Sequence, residues 1–120
     1  MNDELLASIE REVLGWPGVS KETGRGGPGR GGFWVPPFTV YRFGRRALGH
    51  IHNTGVADLT FPREIHDELI SGGRAKPHGA GFANVVSYHI RDPEDVPGAV
   101  ELFRMNYDRA KQAAERRRKA

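Results

Sequence analysis

The chain has 120 residues, with 18 Lys and Arg against 15 Asp and Glu and no cysteine. That length suits one domain burying roughly two-thirds of the surface its unfolded form exposes, and the missing thiols exclude disulfides and a thiolate metal cage. Four of the basic residues, Arg116, Arg117, Arg118 and Lys119, sit in the last five positions, so the remaining body carries 14 bases against 15 acids and lacks the excess with which a domain tracks phosphates.

No apolar run approaches the roughly 18 residues of a membrane span. Asp3 and Glu4 stand where a secretory leader would carry Lys or Arg. A soluble, cytoplasmic protein without membrane contact is expected.

Residues 2–14 place Leu5, Leu6, Ile9, Val13 and Leu14 on one side of a helix, which Gly15 and Pro17 should end. Trp16-Pro17-Gly18-Val19 turns the chain towards a sheet, with Trp16 covering a core edge. Residues 24–32 hold six glycines and two Arg-Gly-Gly repeats at Arg25 and Arg30. Ordering that backbone is entropically costly, so a flexible Gly/Arg connection is expected, with no lysine and Ser/Thr to make it a phosphate loop.

Phe38 to Phe43 has the β-branched and aromatic composition of a strand. Gly44-Arg45-Arg46 makes a turn, and Ala47 to His52 returns as its partner. Period-two alternation puts Leu48, His50 and His52 on one face and Ala47, Gly49 and Ile51 on the other. After a turn at Asn53-Thr54-Gly55, the stretch Ala57 to Pro62 leads into a helix with Phe61, Ile65 and Leu69 on one side and His66 facing solvent. Ala75 to Gly79 connects to a third strand, Val85 to Ile90, with Val86, Tyr88 and Ile90 towards the core and Val85, Ser87 and His89 away from it. Asp95 caps the last helix, Pro97 lies in its first turn, and Val96, Val100, Phe103, Tyr107 and Ala110 form its core stripe. Beyond Ala114 a fraying, solvated end is expected.

The simplest architecture that buries every stripe is α+β, a small antiparallel sheet with N-terminal, middle and C-terminal helices packed on one face. The domain should span residues 1–115, followed by a basic tail, 116–120.

Trp16-Pro17-Gly18-Val19, Gly44 to His52, Ala57-Asp58-Leu59 with Phe61-Pro62, Pro77-His78, Val86-Ser87-Tyr88 with Ile90-Arg91, and Asn106-Tyr107 together resemble the luciferase-domain family of small bacterial proteins, most of them without an assigned function. From about Arg46 to His78 the chain is more distantly similar to fungal luciferase, which oxidises a 3-hydroxyhispidin luciferin with molecular oxygen. The resemblance implies that His50, His52 and His78 share a pocket, with Asp58 beside them. Asn84-Val85 stand where the bacterial relatives usually have Gly-Trp, which implies a differently shaped pocket.

His50 and His52 lie about 6.6 Å apart along one strand face, near enough to converge on one ligand. A neutral imidazole could take a proton from an enol or phenol, leaving an anion for oxygen to attack. In that reading His50 or His52 is the base, His78 an oxyanion partner and Asp58 the group that fixes a tautomer, with no cofactor required. The same residues could instead form a three-His set (His50, His52, His78) or a two-His-one-carboxylate set for zinc or non-haem iron. The expected work is binding, and in the catalytic reading oxidising, a small aromatic or enolic molecule. The alternative is a non-catalytic interaction or scaffold domain, in which Asp58 bonds turn amides. A nucleic-acid module drawing on Arg25, Arg30 and the tail is a weaker rival.

Overall fold

A computed structural model describes residues 1–79 and 81–119; Ala80, Ala120 and the side chain of Arg30 lie outside the description. Helix α1, Asp3–Val13, begins where the Asn2 side chain accepts the Glu4 N–H at 2.7 Å and buries Leu5, Ile9 and Val13. Eight strands follow in chain order, interrupted by α2 and followed by α3: β1 Val19–Gly24, β2 Gly27–Pro28, β3 Trp34–Val35, β4 Phe38–Phe43, β5 Arg46–His52, β6 Val56–Thr60, then α2 Arg63–Ser71, β7 Lys76–Pro77, β8 Val85–His89 and α3 Val96–Lys119.

Six of the strands make one antiparallel sheet in the order β1-β4-β5-β6-β8-β7, while β2 and β3 pair separately as a short ribbon. Gly44, at φ +60°, starts the two-residue turn joining β4 to β5, a position that glycine fills without strain. Residues opposite one another in an antiparallel pair share a face. Thr39, Ile51, Ala57 and Tyr88 therefore form one transverse row, and Val40, His50, Asp58 and Ser87 form a row on the opposite face.

The first face carries the helices. Tyr41 is fully buried there, its hydroxyl donating to Glu10 of α1 at 2.7 Å and its ring meeting Phe103 of α3 edge-on at 5.4 Å. Arg74, just after α2, pairs with Glu101 of α3 at 2.8 Å. The fold is thus α+β, with the N-terminal, middle and C-terminal helices on one face of an antiparallel sheet, as the sequence predicts.

Several elements differ from the expectation. The sheet has six strands rather than three. β1 was hidden because an edge strand bonded on one side only stays polar, and only its two ends are partly buried. β6 was hidden because Ala57, Asp58 and Leu59 are all buried, erasing any alternation; Asp58 therefore lies within a strand, and its carboxylate bonds side chains instead of turn amides. The register slips between Tyr41 and Arg42, a bulge that leaves Leu48 without a partner and buries it in the core instead of against the histidine cavity. His66 is largely buried, with its Nδ1 2.9 Å from the Asp67 carboxylate, instead of facing solvent. The glycine-rich connection holds the β2–β3 ribbon and a 3₁₀ turn at Arg30–Gly32, and α3 runs through the basic residues to Lys119. No helix among the described residues is long and apolar enough to cross a membrane.

Candidate functional site

On the sheet face away from the helices, β5 and β6 place His50 directly opposite Asp58, and His52 one strand repeat further along. Asp58 is only 3 % exposed. Its Oδ2 lies 3.1 Å from His52 Nε2, 3.3 Å from His50 Nε2 and 3.5 Å from His78 Nε2. The two Nε2 atoms of His50 and His52 are 3.2 Å apart. Three imidazoles from two distant stretches of chain thus approach one carboxylate oxygen, and all four expected residues meet.

Supporting contacts fix these groups. Ser87, opposite Asp58 on β8, donates its hydroxyl to Asp58 Oδ1 at 2.6 Å. His52 Nδ1 lies 3.1 Å from the Pro36 carbonyl, so that nitrogen carries the proton and Nε2 faces the carboxylate. Phe38, opposite His52 on β4, stands with its ring 5.5 Å from that of His50 and 5.8 Å from that of His52. A side chain on Gly24, opposite Phe38 on β1, would collide with that ring, so the bare glycine makes room for the wall behind the histidines.

Electrostatics follow from the crowding. Burial pushes the Asp58 carboxyl up, but hydrogen bonds from His50, His52 and Ser87, with the nearby His78, outweigh it and hold the group well below the usual carboxylate range. The bond to Asp58 raises His52 above its ordinary value; burial opposes that shift, and the Pro36 carbonyl adds to it. Asp58 is therefore an anion at neutral pH.

The group opens into a cavity of about 450 Å³. β3 and its two neighbours supply Phe33, Trp34, Val35 and Pro36 to its wall, the stretch before β8 supplies Phe82, and β8 itself supplies Val85. Phe33, Trp34 and Phe82 are 61 %, 70 % and 57 % exposed, the large apolar side chains that the fold leaves in water. His78 packs at a tilt against Phe82, with ring centroids 5.1 Å apart. The result is an apolar, aromatic rim around one ionic wall, the arrangement with which proteins take up small organic molecules.

Sequence reasoning found the histidines and Asp58 but missed Ser87, Phe38 and the ribbon. Ser87 had a signal, since it is the small polar residue that alternates with Val86 and Tyr88 on a strand. The Pro36 carbonyl and the ribbon had none, because backbone position and long-range docking leave no side-chain pattern.

No curated protein and no solved structure gives a significant match to the chain. The model of the Luciferase domain family matches residues 45–106, a span that holds His50, His52, Asp58, His78 and Ser87 and leaves α1 and the ribbon outside. With more than half of its length in that match, the chain belongs to the luciferase-domain family.

Proposed function

We propose that this domain binds a small aromatic or enolic molecule in the cavity between the β2–β3 ribbon and the sheet, with the ligand's hydroxyl directed at His50, His52, His78 and Asp58. One observation carries the reading: a buried, ionised carboxylate ringed by imidazoles forms the single charged wall of a cavity whose other walls are aromatic and aliphatic. A flat ring would bury its faces against Trp34, Phe33 and Phe82, while its hydroxyl would find both donors and acceptors at the ionic wall.

Oxidation of the bound molecule by dioxygen is the catalytic extension of this proposal. A hydroxyl polarised at the histidines becomes electron-rich as its proton is drawn away, and membership of the luciferase-domain family fits that chemistry.

Phenol, catechol and an enolised cyclic 1,3-diketone are suitable probes, with binding followed by tryptophan fluorescence and oxidation by oxygen uptake. Binding is expected to weaken about tenfold, near 1.4 kcal/mol, in Trp34→Ala, and to be lost in the His50→Ala, His52→Ala double variant. Equal binding by the double variant and the wild type would refute the proposal; binding without oxygen uptake would leave a binding protein and remove the oxidation step.

A further inference from the structure

His50 Nε2, His52 Nε2 and Asp58 Oδ2 form a nearly equilateral triangle with edges of 3.2, 3.1 and 3.3 Å. Two ligand atoms each about 2.1 Å from one ion are about 3.0 Å apart in octahedral geometry and about 3.4 Å apart in tetrahedral geometry. The triangle falls between these limits on every edge.

The supporting contacts point the same way. The Pro36 carbonyl takes the Nδ1–H of His52, which turns its Nε2 towards both Asp58 Oδ2 and His50 Nε2. One cation at the triangle's apex would meet all three atoms together. Metal-bound histidines characteristically donate their other N–H to a carbonyl, and metal-bound carboxylates are held through the second oxygen. His52 has the first partner in Pro36, and Asp58 has the second in Ser87, at 2.6 Å. All three donors stand on β5 and β6, paired strands that hold them in place whether or not an ion is bound.

The geometry points to a divalent first-row transition-metal site formed by His50 Nε2, His52 Nε2 and Asp58 Oδ2, with its open positions facing the cavity. Asp58 takes the place that the three-histidine set gives to His78, which stands beside the same carboxylate oxygen. Two imidazoles and one carboxylate suit Fe²⁺, Co²⁺ or Zn²⁺ better than Mg²⁺ or Ca²⁺, which favour all-oxygen surroundings. The metal's part in function, polarising a ligand hydroxyl from the open positions, rests on the cavity reading above; the binding of the ion does not.

The test uses the full chain and the metal alone. The protein is stripped with chelator and titrated with Co²⁺, followed by visible ligand-field absorption, and then with Zn²⁺, followed by the imidazole resonances of the histidines. One Co²⁺ per chain is expected, displaced by Zn²⁺, with the resonances of His50 and His52 moving in step with one equivalent while those of His66 and His89 stay in place. Ser87→Ala, which removes only the support of Asp58, should weaken Co²⁺ binding about 10- to 100-fold. His66→Ala should bind as the wild type does. The proposal is overturned if Zn²⁺ leaves the His50 and His52 resonances unmoved, a readout that needs no variant to fold, or if Asp58→Asn binds Co²⁺ as tightly as wild type. Loss of metal binding would leave phenol binding to be judged by tryptophan fluorescence, so the two readings fail separately.

Discussion

Single residues on both faces of the sheet decide whether the site exists. Asn106 of α3 is 5 % exposed and donates from Nδ2 to the Leu48 carbonyl at 2.9 Å and to the Thr60 carbonyl at 3.0 Å. It thereby ties the bulge of β5 to the end of β6, the two strands that carry the histidines and Asp58. Asn106→Ala strands both carbonyls and should cost about 2 kcal/mol or more, measured as a lower urea midpoint at unchanged slope. Gly49 lies against α3: an added Cβ would stand 2.8 Å from Leu59 Cγ, 2.9 Å from Phe103 Cε1 and 3.1 Å from the Asp58 carbonyl. Gly49→Ala should destabilise by about 1–3 kcal/mol; a stability equal to wild type would mean that the sheet and α3 part more easily than their packing implies. Val85 lines the cavity and is partly buried. Val85→Trp should keep the melting temperature within a few degrees and lower phenol affinity about tenfold or more by filling the space, which fluorescence titration reads directly.

Among the elements, those with a one-sided apolar stripe or a strand composition were legible in the sequence, and those with neither were not. The stripe Leu5, Ile9 and Val13 gives α1 because one side meets the core, and the β-branched and aromatic run from Phe38 to Phe43 gives β4. β1 is an edge with little buried surface, and β6 is covered on both faces, so neither shows a period. The start of the last helix was legible only to within a turn: Asp92, not Asp95, is the N-cap of the 3₁₀ turn Pro93–Asp95 that leads into α3, and Asp95 is the third residue of its capping box. The Asp95 carboxylate accepts the N–H groups of Arg91 at 2.9 Å and Asp92 at 3.0 Å, just before α3 begins at Val96. Those bonds lower its pKa in the folded chain, so protons bind the unfolded chain more tightly. The resulting stabilisation is present above the unfolded carboxylate value, about pH 4, and is lost as the pH falls through the folded one. Asp95→Ala should therefore melt below wild type at pH 7, with the gap closing as the pH falls below the unfolded carboxylate value. A gap independent of pH would show that the charge has no part in the cap.

At the scale of the whole molecule, the sheet separates two tasks. All three helices pack on one face and supply the stability, leaving the other face free to hold ionisable groups that a helix-covered core would not tolerate unpaired. His50 and His52 could be read as neighbours from the sequence because residues at i and i+2 on a strand share a side, whereas His78 and Asp58 were expected beside them only from the family resemblance. What covers them could not be read, since the β2–β3 ribbon comes from a glycine-rich segment whose placement depends on long-range docking. The same division gives an internal control, because the chain has two tryptophans. Trp34 lines the cavity, whereas Trp16 packs at a tilt against Tyr107 of α3 with ring centroids 5.3 Å apart. The most direct test is a titration of isotope-labelled protein with catechol, watching the two indole N–H signals. Binding in the cavity predicts that the Trp34 signal moves and saturates, together with the imidazole signals of His50 and His52, while Trp16 stays fixed; an unmoved Trp34 at millimolar catechol, or movement at Trp16 instead, would contradict it.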